Sequence, residues 1–78
     1  MNEIDWQDLR LLLSFSEGGT LQEAAKIHGI TPSTVSRRIR SLEERVGVRL
    51  VENVSGHLVV TPQGDDALTA ARAMKDHS

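Results

Sequence analysis

The stretch TPSTVSRRIRSLEERVG, residues 31–47, decides how this chain is read. Thr31 can cap a helix, and Pro32 suits the first helical position, where the missing N–H is not needed. Gly47 supplies a stop, because glycine accepts the left-handed C-terminal conformation. At 100° per residue, Val35, Ile39, Leu42 and Val46 fall in a stripe about 60° wide, which predicts the buried face. Opposite lie Ser33, Arg37, Arg40 and Glu44. Ser36 sits on one flank, and Thr34, Arg38 and Arg45 sit on the other. The outward N-terminal half therefore presents Ser33, Ser36, Arg37 and Arg40. Short hydroxyls allow close approach to a groove wall, and arginine binds guanine bidentately or holds a phosphate. Glu43 and Glu44 come later, where they can lie outside a groove entered by the first turns.

Charge is distributed to match. The chain of 78 residues has a net charge of −2, yet residues 31–49 carry five arginines against two acids. The acids outnumber the bases in both remaining segments. Positive charge is thus concentrated on one element, and that local concentration matters for an anionic polymer.

The flanking sequence predicts three further helices and a hairpin. Asp5 is an N-cap, with Asp8 at the third helical position as an imperfect capping box. Trp6, Leu9, Leu12 and Leu13 follow at helical spacing, with Phe15 near the end, and EGG at 17–19 stops the helix. Thr20 and Glu23 form a capping box for a second, short helix that ends at Gly29. Ala24 and Ala25 are small where another helix can approach. VRLVEN (48–53) and HLVVT (57–61) are β-branched and read as a two-stranded hairpin with Ser55-Gly56 at its tip. Thr61-Pro62 repeats the cap-plus-proline signal, and Asp65 and Asp66 suit the first turn of a fourth helix.

The expected architecture is mainly α: a winged helix-turn-helix over 1–61, then a fourth helix over 62–78, to which the family resemblance given below assigns the role of C-terminal linker or dimerisation helix. The second helix, the turn at Gly29 and the third helix make the helix-turn-helix, with the third in the major groove. The hairpin is the wing.

The sequence strongly resembles the N-terminal DNA-binding domain of LysR-type transcriptional regulators. The matching residues are Leu9, Leu12 and Leu13, then GGTLQEAA, ITPSTVSRRIRSLEERVGVRL and LVVTPQG, spanning roughly residues 5–66. The resemblance implies a homodimer on an interrupted inverted repeat of double-stranded DNA, paired through the fourth helix. It also places Pro32, Ser33, Ser36 and Arg37 at base- and phosphate-contacting positions, and Thr20 at a phosphate-facing one. The sequence departs from the family pattern at His28 (usually leucine), Val51 (usually phenylalanine) and Asn53 (commonly arginine). Residues 50–61 contain no arginine. A weaker wing contribution is therefore expected, with Asn53, Ser55 and His57 left to hydrogen-bond. The family continues through a long helix into an effector-binding domain, and effector sensing is not expected of these residues.

The candidate DNA-binding set is Thr20, Thr31, Pro32, Ser33, Ser36, Arg37, Arg38, Arg40, Asn53, Ser55 and His57. Ser33, Ser36, Arg37 and Pro32 are assigned to base edges. Arg38, Arg40, Thr20 and the wing are assigned to phosphates. The alternative reading is a winged-helix protein-interaction module, favoured by the net negative charge and the arginine-poor wing. Catalysis is not expected. A chain this small buries only about 60–65% of its unfolded surface, which leaves little room for a catalytic cleft. His28, His57 and His77 share no metal-ligand spacing, there are no cysteines, and no metal or cofactor is called for. Trp6 is read as a packing residue between the first and fourth helices or at a dimer contact. His77 is read as part of a frayed end. Residues 1–8 lack the basic-then-apolar order of a signal peptide and no run reaches membrane-spanning length, so the chain reads as cytoplasmic.

Overall fold

A computed structural model describes residues 5–76, with side chains as far as Ala73. The elements run α1 (Trp6–Gly18), α2 (Leu21–His28), α3 (Pro32–Val46), β1 (Val51–Val54), β2 (His57–Val60) and α4 (Pro62–Asp76). Residues 1–4 and His77 lie outside the described residues. Among the described residues no helix is long and apolar enough to cross a membrane.

The helix boundaries follow the capping chemistry. The Asp5 carboxylate accepts from the Gln7 N–H at 2.9 Å, and the Thr20 and Thr31 hydroxyls accept from the Glu23 and Thr34 N–H at 3.1 and 3.2 Å. Gly19, Gly29 and Gly47 end α1, α2 and α3, all in the left-handed conformation. After α2, the Ile30 N–H also closes on the Ala25 carbonyl at 3.0 Å, which turns the chain sharply into α3. Only residues 29–31 separate the two helices.

The core is built around α1, which contacts α2, α3 and α4. Leu9, Leu11, Leu12, Leu13 and Phe15 are all buried on it. Leu11 lies outside the expected stripe; an amphipathic pattern describes a helix packed on one side, and α1 is covered on several. Ala24 and Ala25 of α2 and Val35, Ile39 and Leu42 of α3 complete the helix-turn-helix core, with Val46 partly buried beside them. Leu68 and Ala71 are the buried apolar side chains among the described residues of α4, and Gly64 is buried in its first turn. Trp6, expected as a packing residue, is 37% exposed and lies outside the buried cluster.

The hairpin is shorter and later than expected. Val48, Arg49 and Leu50 form the bend that leads into β1, and Val54 pairs with His57 across the two-residue loop Ser55-Gly56. Both loop residues have positive φ, 53° and 84°. This is the backbone signature of the type I′ turn, whose twist matches that of the paired strands.

Candidate nucleic-acid interface

α3 divides into an inward stripe and an outward face. Val35 and Leu42 have no exposed surface and Ile39 almost none, while Ser33, Arg37, Arg40 and Glu44 are exposed on the opposite side. At the N-terminus the Thr31 hydroxyl is occupied. Besides capping Thr34, it meets the hydroxyls of Ser33 and Thr34 at 3.2 and 2.8 Å. Thr31 is therefore first a helix-starting residue. Arg37 makes only a long 3.5 Å contact with the Thr34 hydroxyl, so its guanidinium remains available.

The two flanks of α3 have different partners. On one, the Arg38 Nε donates to Asp8 Oδ1 of α1 at 2.9 Å. Asp8 is buried, with its side chain 7% exposed, and the Arg38 side chain is 37% exposed. Asp8 is thus an internal anchor rather than half of a capping box. Arg38 retains only its terminal nitrogens for any other acceptor. On the other flank, Glu43 Oε2 accepts from the Leu50 and Val51 N–H groups at 2.8 and 3.1 Å. Glu43 therefore turns toward the root of the wing instead of simply lying beyond the groove.

The wing contributes differently from its composition. Asn53 Oδ1 accepts from the Gly56 N–H at 3.0 Å, so this side chain braces the hairpin turn and keeps only its amide NH₂ free. Ser55 and His57 are exposed at the tip. His28 is half-buried, and its Nε2 lies 2.8 Å from the Ser14 hydroxyl. A hydrogen bond between α1 and α2 thus stands where the family pattern has leucine.

Two clefts show which candidates share a face. One, of about 260 Å³, lies between α3 and the wing root and is lined by Ser36, Arg40, Glu43, Arg49 and Asn53, with apolar residues below. The second, of about 240 Å³, lies between the start of α2 and the wing tip and is lined by Thr20, Gln22, Gly56 and His57. The wing therefore links the α3 candidates to the α2 N-terminus. Arg38 stands apart, on the α1 side. Glu43 and Arg49 were missing from the sequence-derived set. Glu43 could have been found by asking which groups satisfy the first N–H donors of the wing.

Comparison with known proteins gives this geometry a family. The model of the bacterial regulatory helix-turn-helix proteins, lysR family, matches residues 6–65. The transcriptional regulator CbbR of Xanthobacter flavus is 34% identical over 74 residues, covering 90% of this chain and 22% of that protein. The transcriptional activator AllS of Klebsiella pneumoniae is 35% identical over 72 residues, covering 92% of this chain and 27% of that protein. The chain thus spans about a quarter of the length of these curated relatives. Among solved structures, DarR of Vibrio fischeri in complex with DNA matches with a TM-score of 0.85 at 29% identity, covering 96% of this chain and 26% of that one. The BenM DNA-binding domain in complex with benA site 1 DNA matches with a TM-score of 0.84 at 27% identity, covering 94% of this chain and 82% of that one. The chain belongs to the lysR family of bacterial regulatory helix-turn-helix proteins, and its winged helix-turn-helix is the fold of their DNA-binding domains.

Proposed function

We propose that this chain binds double-stranded DNA sequence-specifically for transcription regulation, with α3 in the major groove and the wing on the adjacent backbone or minor groove. The observation that carries the reading is the outward edge of α3. Ser33, Arg37 and Arg40 are exposed and Ser36 half-exposed on a helix whose opposite side is packed into the core. Two relatives of this fold are described as complexes with DNA.

Within this reading Ser33, Ser36, Arg37 and Pro32 address base edges. Arg40, Thr20, Ser55, His57 and the free Asn53 amide hold backbone, with Arg38 contributing through its terminal nitrogens alone. The partner arrangement is a homodimer on an interrupted inverted repeat, through the face of α4 that carries the exposed Thr69, Ala70 and Ala73. These side chains are small, so a dimer built on this segment alone is weak. The role is binding rather than catalysis, in keeping with relatives named as transcriptional regulators. A chromosomal ligand puts the work in the cytoplasm.

Selection of bound duplexes from a random pool tests the reading. Enrichment of an inverted repeat is expected. With that site in hand, Arg37→Ala should weaken specific binding by about 1–3 kcal/mol and relax preference at one base pair. Failure of the chain to enrich any sequence, with no amide shift along 31–40 on adding duplex at low salt, would favour a protein-interaction module instead.

A further inference from the structure

The cleft between α3 and the wing root is lined by two arginines from different elements. Arg40 comes from the outward face of α3, and Arg49 from the bend before β1. The acid in this cleft, Glu43, has its Oε2 engaged by two backbone N–H groups, and its side chain is only 15% exposed. Arg49 Nε stands 3.9 Å from that oxygen, beyond the 2.7–2.9 Å of a charge-assisted hydrogen bond. Its other contact is a long one, 3.4 Å from Nη2 to the Val51 carbonyl, and its side chain is 73% exposed. Arg49 is thus free to take another acceptor.

The wing lacks a cation of its own. Residues 50–61 include no lysine or arginine, and their one formal charge is Glu52. We propose that Arg49 and Arg40 clamp a single DNA phosphate in this cleft, so that the wing's anchoring cation sits at its root and not on its hairpin. The proposal rests on the DNA reading above. Ser36 and Arg40 line both the proposed reading edge and the cleft, so a duplex with α3 in its major groove would bring its backbone toward Arg49. A volume of about 260 Å³ accommodates a phosphate with part of its hydration. Planar guanidinium forks match phosphate oxygens in pairs, which suits two arginines converging on one group.

The test uses the 78-residue chain and a duplex of arbitrary sequence, because a phosphate contact is indifferent to bases. Arg49→Gln removes the charge but keeps a donor for the Val51 carbonyl; Arg49→Lys keeps the charge. Thermal melting checks that each remains folded. Arg49→Gln is expected to weaken binding roughly threefold to tenfold and to flatten the log Kd against log salt slope by up to about 0.9, while Arg49→Lys retains the slope. Arg40→Gln combined with Arg49→Gln should lose less than the product of the two single losses, because both act on one phosphate. Wild-type affinity and slope in Arg49→Gln, or independent losses in the double variant, would overturn the clamp while leaving the DNA reading intact. Failure of the wild-type chain to bind any duplex at about 50 mM salt would remove both.

Discussion

Arg38 donates from Nε to the buried carboxylate of Asp8 at 2.9 Å, joining α3 to α1 across 30 residues of sequence. Together with the buried stripe of Val35, Ile39 and Leu42, this pair holds the rotation of α3 about its own axis. That rotation sets which way the exposed Ser33, Arg37 and Arg40 face.

Removing Asp8 should therefore cost stability first and DNA affinity second. Asp8→Ala leaves a half-exposed guanidinium without its partner. The cost should be about 1–2 kcal/mol, below that of breaking a fully buried pair, because water reaches Arg38. A lower urea midpoint with an unchanged denaturant slope is the expected signature. Asp8→Asn retains an acceptor for Nε and should recover part of the loss.

Glu43 is the corresponding fixture on the other flank. Glu43→Ala would leave the Leu50 and Val51 N–H groups without their carboxylate acceptor. A cost of about 1–3 kcal/mol is expected. Amide exchange should quicken most over Val51–Val60, because the wing root would lose its tie to α3. Uniform quickening across the whole chain would mean that Glu43 supports the core and not the wing in particular.

These two pairs mark what the sequence could reveal. The caps at Asp5, Thr20 and Thr31 and the stops at Gly19, Gly29 and Gly47 are local chemistry, and each is where its residue type predicts. The buried stripe of α3 follows from helical period alone. That period also put Ser36 and Arg38 on opposite flanks. It could not say that α1 would bring Asp8 to one flank, or that the chain would return with Leu50 and Val51 beside the other. Those facts depend on how elements dock. For the same reason Arg38, read as free to meet DNA, turns out to hold Asp8, whereas Asn53 holds the Gly56 N–H by a contact local to its own hairpin turn.

Gly64 illustrates a second limit, a requirement for space. A Cβ at Gly64 would lie 2.4 Å from the Leu50 carbonyl oxygen and 2.6 Å from Val60 Cγ1. The first turn of α4 is pressed against the wing root there. Thr61 strengthens the junction, accepting from the Gly64 N–H at 3.0 Å and donating to the Arg49 carbonyl at 2.6 Å. Gly64→Ala gains helix propensity but forces backbone apart, so a net loss of about 1–3 kcal/mol is expected. A melting temperature equal to wild type would show that α4 can move off the wing without penalty.

Ser55 should respond in the opposite direction. It is the one described non-glycine residue with positive φ, at 53°, in a turn that needs positive φ at both central positions. Asparagine tolerates this conformation better than serine, because its side chain can hydrogen-bond locally. Ser55→Asn should therefore stabilise the domain by about 0.3–1 kcal/mol, and Ser55→Val should destabilise it by more. Thermal melting of the three proteins measures the order. The Asn53 brace on Gly56 is separate from this side chain, so it should survive both changes. Binding to duplex then isolates the wing tip. Ser55→Asn preserves a polar contact with the backbone, whereas Ser55→Gly relaxes the turn but deletes the hydroxyl. Weaker DNA binding by Ser55→Gly at undiminished stability would identify the hydroxyl as a contact. Equal binding by all folded variants would restrict Ser55 to shaping the turn.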